Sequence, residues 1–422
     1  MGIANALQNS ALGLAWHALR GHRHWRPFWR TPEPRASYDV VIVGGGGHGL
    51  ATAHALATKH GVRSVAVLEK GWLGGGNTGR NTTIVRSNYL ATPSARFYDH
   101  SLKVYEGLSR ALDYNVMFIP RGVVNLATSR FQLRTMRRRV EALRLAGVDS
   151  EMLDVEAIRA LMPRLQIRST AGCEVFGGFI QRRAGIARHD AVAWGYARAA
   201  DRAGVDIIQN CEVTGFERNG DEIRSVQTSC GRIGVDKVAI CVAGHSSVLA
   251  EKLGLRLPIT SMALQAMVSE PIKPVLDVVL DGGFYVSQSD RGELVMGGGT
   301  DVYTSYAQRS GLQRVEDNMA ALVDLFPSFA RLRFMRQWAG IIDLTPDSSP
   351  IIDAIGNVAL SCGWGSWGFK AIPAGGECLA HLIATGKPHP LAEAFSLERF
   401  TTGALIDEAG SSGGMDDREP LL

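Results

Sequence analysis

The feature that most constrains the fold of this chain is a run of glycines in the segment VVIVGGGGHGL, at positions 40–50. The apolar stretch before the glycines predicts a buried parallel strand, and the segment ATAHALATKH after them predicts a helix. Gly44 permits a tight turn, Gly46 lets the backbone approach a pyrophosphate, and Gly49 allows the helix to pack against the strand. The helix N-terminus supplies amide donors to phosphate. This pattern predicts a dinucleotide-binding site.

Glu69 strengthens that prediction because it lies twenty residues after Gly49, at the end of the next predicted strand, SVAVLEK. An acidic residue at this point accepts hydrogen bonds from ribose hydroxyls of the dinucleotide. Gly47 and His48 lie inside the turn, where we expect them to contribute backbone groups rather than side chains to the cofactor site.

A second loop, GWLGGGNTGRNTTIVRSNYL at 71–90, favours FAD over NAD because it offers Gly, Asn and Thr where an extended dinucleotide would continue. Arg86 in this loop can pair bidentately with a substrate carboxylate, and an ordinary salt bridge is the alternative interpretation. The other candidate cofactor contacts of the loop are Asn77, Thr78, Arg80 and Thr83.

Near the C-terminus, the segment CGWGSWGFKAIPAGG predicts a turn followed by a helix. Its glycines, among them Gly365 and Gly368, permit a backbone turn against a ring system. Lys370 follows directly. A lysine here can bind a carboxylate or bring positive charge to a flavin, and a purely structural lysine is the alternative interpretation.

Composition and charge argue against several other classes of protein. The chain has 422 residues and a formal net charge of +4, from 45 basic and 41 acidic side chains, which is too balanced for a nucleic-acid surface. Its six cysteines form no C-x-x-C pair, so we expect no metal site, no disulfide framework and a cytoplasmic setting. The chain has no run of about 20 apolar residues, so we expect no membrane span.

The order of predicted elements indicates an α/β fold with two lobes, because strand–helix units recur at 38–70, 190–244 and 357–386. A basic helix and a strand-rich stretch are inserted between these units and would form the second lobe. The predicted divisions are an N-terminal docking arm at 1–36, FAD-binding segments at 37–112, 181–255 and 339–400, substrate-domain segments at 113–180 and 256–338, and a C-terminal tail at 401–422.

The arm at 1–36 carries all of the excess positive charge. Its first part predicts an amphipathic helix with leucines and Trp16 on the apolar face. Such a helix docks on a partner subunit or touches a membrane surface, and docking is the preferred interpretation. In the later basic helix, RFQLRTMRRRVEALRLAG, we expect Arg137, Arg138 and Arg139 to face solvent.

The segment VGGGGHGLATAHALATKHGVRSVAVLEKGWLGGGNTGRNTTIVRSNYL closely resembles the β subunits of heterotetrameric sarcosine oxidases. The resemblance continues through YNVMFIPRGVVNLA, RHDAVAWGYARAADRAGVDIIQNCEVTGFE, AGHSSVLA, GWGSWGFK and PHPLAEAFSLERFTTGALIDE, and it covers nearly the whole chain. It implies a fold like those of D-amino-acid and glycine oxidases, with a discontinuous Rossmann-like FAD-binding domain and a sheet-rich α+β substrate domain. It also implies that Val213, in the motif NCEVTGFE, contacts the FAD.

The resemblance implies an enzyme with two flavins that oxidatively demethylates sarcosine to glycine. In the family, residues at the positions of Arg86 and Lys370 hold the substrate carboxylate, and the N-methyl group gives a hydride to noncovalent FAD. Tyr285 resembles an active-site tyrosine of related amine oxidases. His189, in the motif RHDAVAWG, matches the histidine that carries a covalent FMN, although its position alone is that of a helix-start or core histidine. Electrons pass from FAD to FMN and then to oxygen, giving hydrogen peroxide.

The family further implies a complex with α, γ and δ subunits, in which tetrahydrofolate on the α subunit captures the methylene group of the imine product.

Two departures from the family pattern bear on these expectations. Gly340 stands where monomeric sarcosine oxidases have the cysteine that holds FAD, so we expect FAD to be noncovalent. Trp367 stands where the family usually has glycine, which would shrink or reshape the substrate pocket.

Two alternatives to sarcosine oxidation stay open. One, which the departure at Trp367 keeps open, is the corresponding subunit of an N-methylglutamate dehydrogenase-like complex, which accepts a larger amino acid and need not use oxygen. The other is a noncatalytic flavin-binding assembly subunit whose arm docks partners. Reduction of the flavin by sarcosine, by N-methylglutamate or by neither distinguishes the three functions.

Overall fold

The computed structural model describes residues 10–21, 28–168, 174–282, 284–301, 303–309 and 311–408. Short 3-10 turns lie at Asn77–Arg80, Ala243–His245, Pro327–Phe329 and Glu393–Phe395. The helices are α1 Ala11–Leu19, α2 Gly47–Lys59, α3 Thr92–Ala111, α4 Arg130–Leu145, α5 Val155–Leu161, α6 His189–Arg202, α7 Ser246–Glu251, α8 Leu312–Leu325, α9 Gly368–Thr385 and α10 Arg399–Thr402.

The strands fall into two large sheets and one small one. They are β1 Ser37–Val43, β2 Val65–Leu68, β3 Ile84–Val85, β4 Val123–Ala127, β5 Glu151–Leu153, β6 Gly177–Gln181, β7 Gly185–Ile186, β8 Asp206–Ile208, β9 Val213–Asn219, β10 Glu222–Thr228, β11 Gly231–Ile240, β12 Thr260–Pro271, β13 Val279–Leu280, β14 Phe284–Gln288, β15 Glu293–Thr300, β16 Phe334–Leu344, β17 Ile351–Ile355 and β18 Val358–Cys362.

The first sheet has the strand order β17-β18-β11-β1-β2-β8, with the hairpin β9-β10 joined to β11. Strands β8, β2, β1, β11 and β18 pair in parallel, and β17 closes one edge in the antiparallel sense. Strand β2 is buried along its whole length, as expected for a parallel strand that is covered on both faces. The turns that follow β1, β2 and β11 therefore meet at one edge of this sheet, the usual place for a ligand.

Helices α2, α3, α6 and α9 pack together against this sheet, with α9 in contact with both α2 and α3. Gly376 lets α9 cross α2 at short range, because a β-carbon at position 376 would lie 2.4 Å from that of Ala51. This crossing joins the last helical segment of the nucleotide lobe to the first one.

The second sheet has the order β16-β12-β15-β14-β13-β4-β6-β5 and is antiparallel except where β13 pairs with β4. Helix α8 packs on β14 and β15, while α4 and α5 pack on β6. Strands β3 and β7 form a small separate sheet that packs against β4 and β13 of the second sheet. Together the sheets confirm the predicted α/β class, in which a Rossmann-like lobe and a sheet-rich lobe are each built from separated segments.

Strand β16 runs across position 338, where the sequence pattern suggested a boundary between lobes. It pairs with β12 from Phe334 to Leu344, so this strand belongs to the second sheet along its full length. The periodicity of the segment WAGIIDLTP could not reveal this, because a strand in either sheet would read as the same apolar run.

The N-terminal arm is described only in part, since residues 1–9 and 22–27 lie outside the described residues, as does the tail from 409 onward. Helix α1 has no buried side chain. The segment that follows binds the body of the same chain. Arg30 Nε lies 2.8 Å from Asp201 Oδ1, and Arg35 Nε lies 2.8 Å from Asp206 Oδ2.

The prediction that Arg139 faces solvent is wrong. This residue is only 8% exposed, and it donates a hydrogen bond to the carbonyl oxygen of Asn88. Its guanidinium carbon lies 5.3 Å from the centroid of the Phe179 ring. Position 139 shares the buried side of α4, whereas Arg137 and Arg138 are exposed as expected.

Candidate active site

A cavity of about 1080 Å³ lies where the two large sheets meet. It exceeds the ~300–1,000 Å³ of ordinary small-molecule sites, as an extended dinucleotide and a substrate together would require. Gly49 and His189 are predicted site residues that do not line it. The predicted residues that do line it are Gly44, Gly46, Gly47, His48, Glu69, Asn77, Thr78, Arg80, Thr83, Arg86, Val213, Tyr285, Gly365, Gly368 and Lys370.

The glycine-rich turn connects β1 directly to α2. Gly44 has a φ of +110°, a conformation that side chains rarely adopt. A β-carbon at Gly49 would lie 2.0 Å from the carbonyl oxygen of Gly44, so position 49 serves the packing of helix against strand. Because α2 starts at Gly47, its N-terminal amides lie at the cavity wall, where they suit a phosphate.

The carboxylate of Glu69 is held at the end of β2 by two backbone amides. Oε2 accepts from Gly45 N at 2.8 Å, and Oε1 accepts from Gly71 N at 2.8 Å. Both oxygens keep further lone pairs, since each carboxylate oxygen can accept more than one hydrogen bond. Glu69 can therefore still accept from the hydroxyl groups of a bound ribose.

The turn Asn77–Arg80 joins the nucleotide lobe to the second sheet. The Asn77 amide donates to Ile341 O at 2.5 Å and accepts from Ile341 N at 2.9 Å. Thr78 Oγ1 accepts from Gly47 N at 2.9 Å. The turn therefore fixes the start of α2 relative to β16.

Arg80, at the end of this turn, and Thr83, just after it, make contacts within the protein that shape the loop. Arg80 donates to the carbonyl oxygen of Gly75 and, at 2.8 Å, to Oε1 of Gln308. Thr83 has a φ of +69°, and its carbonyl oxygen accepts from Ala187 N at 3.0 Å. Both residues remain on the cavity wall.

The His48 side chain makes contacts within the protein, while its expected backbone contribution to the cofactor site stays a prediction. Nε2 lies 2.8 Å from the carbonyl oxygen of Gly368, and the ring stacks on Trp364 with centroids 4.2 Å apart. Because a carbonyl oxygen can only accept, Nε2 carries the proton. Burial lowers the pKa of His48 to about 4, so the ring is neutral at pH 7. The side chain thereby fastens the first glycine turn to the C-terminal one.

Arg86 and Asp281 form a buried ion pair on the cavity wall, with 2.6 Å between Nε and Oδ2. Asn88 Oδ1 accepts from Nη1 of Arg86 at 2.7 Å. Burial alone would lower the pKa of Arg86, but Asp281 and neighbouring tyrosines hold it above its ordinary value. The salt bridge named as the alternative interpretation therefore exists, and it fixes a positive charge beside the cavity.

Lys370 adds an amine close to this pair. It is 7% exposed, and it forms no ion pair with any residue that the structure describes. Burial and the charge of Arg86 lower the pKa of Lys370 to about 7, although Asp281 opposes the shift. A nearby anion favours the charged form of an amine. The site therefore gains positive charge when an anion enters.

Sequence reasoning missed two buried carboxylates on the cavity wall, Asp281 and Asp343. Asp343 Oδ2 accepts from Gly363 N at 2.6 Å and so supports the turn before α9. Burial raises the pKa of Asp343 to about 7. The available signal was an acidic residue inside or directly after an apolar run, in WAGIIDLTP and VLDVVLDGG, because such a residue is buried with its neighbours.

Tyr285, Trp367 and Gly340 also line the cavity wall. The Tyr285 hydroxyl donates to Gln265 O at 3.3 Å, and burial raises the pKa of Tyr285 so that it stays protonated at pH 7. Trp367 is buried edge-on against Tyr89, with ring centroids 5.5 Å apart. The indole therefore occupies space that a glycine would leave open.

His189 is the first residue of α6 and is half-buried outside the cavity. Its Nδ1 is buried and has no hydrogen-bond partner among the described residues. Burial lowers the pKa of His189, with Arg188 adding to the effect and Asp190 opposing it. The ring is therefore a neutral imidazole with one nitrogen unused by the fold.

Comparison with known proteins identifies the chain. A family model for FAD dependent oxidoreductases matches residues 39–382. Sarcosine oxidase subunit beta of Rhodobacter capsulatus is 51% identical over 409 residues, which cover 96% of this chain and 98% of the relative. The same subunit from an Arthrobacter species is 53% identical over 389 residues, which cover 91% of this chain and 96% of the relative. The chain belongs to the sarcosine oxidase β subunit family.

Solved structures of other enzymes share the fold of this chain. L-proline dehydrogenase from P. horikoshii is 26% identical, with a TM-score of 0.82 over 89% of this chain and 100% of that one. Glycine oxidase from Geobacillus kaustophilus is 21% identical, with a TM-score of 0.78 over 86% of this chain and 99% of that one. The expected D-amino-acid-oxidase-like fold is confirmed, and so is the class of enzyme, a flavin-dependent amine oxidoreductase.

The described part of the chain offers neither a metal site nor a membrane-spanning helix. It contains no group of three or more His, Cys, Asp or Glu side chains that could hold a metal ion. Within the same ranges, no helix has the length and apolar character to cross a membrane. The described cysteines are free thiols, and Cys173 lies outside the described residues.

We predict that Lys370→Met weakens the binding of acetate and removes its pH dependence. Lys370 is charged below its pKa of about 7 and neutral above it. In the unsubstituted protein, acetate affinity should therefore be highest below pH 7 and fall by up to ~10-fold per pH unit above it. The dissociation constant at each pH is measured from the perturbation of the flavin spectrum.

Lys59→Met is the matched control, because Lys59 is exposed and pairs with Glu377 away from the cavity. It should leave the pH profile unchanged. An acetate affinity that does not vary with pH in the unsubstituted protein would contradict the role given to Lys370.

Proposed function

We propose that this chain is the catalytic β-type subunit of a multi-subunit sarcosine oxidase, which oxidatively demethylates sarcosine to glycine. The observation that carries the proposal is the pair of buried basic side chains, Arg86 and Lys370, on the wall of a dinucleotide-sized cavity. About half of the residues are identical in sarcosine oxidase β subunits. An amino-acid carboxylate is the substrate group that such a pair of cations recognises.

The residues at the cavity fit a noncovalent FAD. The turn Gly44–Gly49, at the N-terminus of α2, suits the pyrophosphate, and Glu69 suits the ribose. Asn77 and Thr78 hold the adjoining loop in place, and Val213 adds an apolar contact. Gly340 offers no thiol for a covalent bond. When bound, FAD supplies the acceptor for the hydride that the amine gives up.

The cations bind and orient the substrate in this proposal. Lys370 donates to the carboxylate, while Asp281 and Asn88 fix the guanidinium of Arg86 in place beside it. Positive charges near a bound substrate also disfavour the ammonium form of its nitrogen. The neutral amine can then release a hydride without a side-chain base. Tyr285 contributes a protonated hydroxyl to the wall of the site.

Trp367 limits the size of the substrate. Its indole packs against Tyr89 in the wall that leads to Lys370, so a long substrate side chain would have to displace it. Sarcosine has no side chain beyond its N-methyl group. This steric argument favours sarcosine over N-methylglutamate, the substrate of the alternative function.

We propose further that His189 carries a covalent FMN through a bond from an imidazole nitrogen to the 8α-carbon of that flavin. Two properties of the residue support this. Nδ1 has no partner among the described residues, and burial keeps the ring neutral and therefore nucleophilic. Because His189 lies outside the main cavity, a flavin attached there would not compete with FAD for its site.

The complete proposal includes α, γ and δ subunits in a cytoplasmic complex. Tetrahydrofolate on the α subunit takes the methylene group, and oxygen takes the electrons and becomes hydrogen peroxide. The subunit designation of the relatives supports an assembly of this kind. Helix α1 also supports an assembly, because its Leu12 and Leu19 are 81% and 85% exposed and offer an apolar surface to a partner.

We predict that sarcosine bleaches the FAD absorbance of the protein under anaerobic conditions. N-methylglutamate should act at least ~10-fold less efficiently, because its side chain meets Trp367. Glycine is the control, since it has the carboxylate but no N-methyl group, and it should leave the spectrum oxidised. Bleaching by N-methylglutamate alone would support the alternative dehydrogenase, and bleaching by neither N-methyl amino acid would support a noncatalytic subunit.

We predict that the peptide containing His189 carries the mass of FMN when the chain is co-expressed with its partner subunits. The complex is digested and its peptides are measured by mass spectrometry. His189→Asn should abolish the modification because an amide does not form this bond, whereas His60→Asn should leave it unchanged. An unmodified His189 in a complex that retains FAD would contradict the assignment and leave a single-flavin enzyme.

A further inference from the structure

Two cysteines lie next to each other at one end of the cofactor cavity. Cys211 is 1% exposed and lines the cavity, whereas Cys230 is exposed in the turn between β10 and β11. The Cys230 thiol is one of the neighbouring groups that raise the pKa of Cys211, so the two side chains lie close together. Cys230 Sγ also lies 3.8 Å from the carbonyl oxygen of Asn210, the residue directly before Cys211. The two sulfur atoms are therefore neighbours in the folded chain.

The backbone around the two cysteines keeps them at this short range. Ser229 N donates to Glu212 O at 2.9 Å, and Glu212 N donates to Ser229 Oγ at 2.9 Å. Thr228 pairs with Val213 where β9 begins. A disulfide needs Cα atoms about 4.4–6.8 Å apart, a separation that adjoining hydrogen-bonded segments provide. Little backbone movement is needed to join the sulfurs.

We propose that Cys211 and Cys230 form a peroxide-sensitive thiol pair that closes to a disulfide. The Cys230 sulfur attacks one oxygen of hydrogen peroxide, which breaks the O–O bond, releases water and leaves a sulfenic acid on Cys230. The Cys211 sulfur then displaces the hydroxyl group, which forms the S–S bond and a second water. Two thiols thus give two hydrogen atoms to one peroxide molecule, which is reduced to two waters.

The different burial of the two cysteines assigns their roles. Burial raises the pKa of Cys211 to about 11, with the Cys230 thiol adding to the rise and Thr228 opposing it. A buried thiol with a raised pKa is a slow first nucleophile. Cys230 is therefore the point of attack, and Cys211 is the residue that resolves the sulfenic acid.

The other described cysteines lack this combination of neighbour and access. Cys241, Cys362 and Cys378 are all buried. Cys241 and Cys362 lie near each other, but burial raises the pKa of both thiols and neither is exposed to solvent. Among the described cysteines, Cys230 is thus the one that dissolved peroxide can reach.

The cysteine pair is connected to the cofactor cavity through the backbone. Cys211 N donates to Glu69 O at 2.9 Å, and Asn210 N donates to Gly71 O at 3.0 Å. A disulfide would tie the backbone amides of Asn210 and Cys211 to the β10–β11 turn. The loop that starts at Glu69 would then open less often, and a dinucleotide held there would leave more slowly.

The supply of peroxide in a cell is an inference that rests on the proposed function, because there oxygen accepts the electrons and becomes hydrogen peroxide. The reactivity of the thiol pair does not depend on it. Reagent hydrogen peroxide, added to the FAD-bound chain without any substrate, therefore tests the pair by itself.

The experiment compares the FAD-bound full chain with its Cys230→Ser variant after treatment with reagent peroxide. Remaining thiols are alkylated, and the peptides are mapped by mass spectrometry before and after reduction. We expect a peptide pair joined through Cys211 and Cys230 that disappears on reduction and is absent from the variant. Overoxidation of Cys230 with a free Cys211 thiol, or a bond between other cysteines, would overturn the proposal.

The release of FAD after dilution, followed by flavin fluorescence, tests the connection to the cavity. The oxidised chain should release FAD severalfold more slowly than the reduced chain, and Cys230→Ser should release it at one rate under both conditions. Equal rates of FAD release from the oxidised and the reduced unsubstituted chain would overturn the proposed effect of the disulfide on the cavity. The serine variant keeps the size of an exposed side chain, so its folding is not at risk.

A final comparison replaces reagent peroxide by sarcosine and oxygen, with and without catalase. Formation of the disulfide that catalase suppresses would support both the thiol pair and the proposed reaction. A disulfide that forms with reagent peroxide but not during turnover would support the pair and contradict peroxide production by the complex.

Discussion

The site depends on the crossing of α2 and α9, two helices from opposite ends of the chain. Gly376 removes the β-carbon that would hold α9 away from Ala51. The His48 ring then bonds to the carbonyl oxygen of Gly368, 320 positions away, and stacks on Trp364. Because α9 starts at Gly368, this contact also fixes the position of Lys370. The glycine turn for phosphate and the lysine for substrate thus share one cavity.

The charges around that cavity follow from burial. Removing a cation from water is costly unless a partner compensates it. Arg86 meets this requirement with Asp281 and stays charged, whereas Lys370 has no ion-pair partner among the described residues and its pKa falls to about 7. Lys370 therefore becomes fully charged only when an anion binds beside it. An entering carboxylate supplies the charge that makes protonation of Lys370 favourable.

The parts of the site that could be predicted from sequence are those whose chemistry is local. The turn from Gly44 to Gly49 and the acceptor Glu69 depend on spacing within one βαβ unit, and the structure brings Gly44 and Glu69 to the cavity wall together with Lys370. The role of His189 as a flavin attachment site is still a prediction, since it rests on resemblance and on an unused ring nitrogen.

The parts that could not be predicted depend on contacts between distant segments. Asp281 matters because it meets Arg86, almost two hundred residues earlier, and no local pattern indicates that pairing. The burial of Arg139 follows from how α4 lies on β6, and the contact of Cys211 with Cys230 follows from the fold of one hairpin against the preceding loop. In each case the residue type was visible in the sequence and its partner was not.

The most direct test of this account is the number of protons taken up when acetate binds to the FAD-loaded protein at a pH of about 8.5, well above the pKa of Lys370. Isothermal titration calorimetry in buffers of different ionisation enthalpy gives this number. We expect uptake close to one proton per acetate, because Lys370, with a pKa of about 7, is neutral before binding and charged afterwards. Binding without proton uptake would contradict it, because the carboxylate would then be held by groups whose charge does not change.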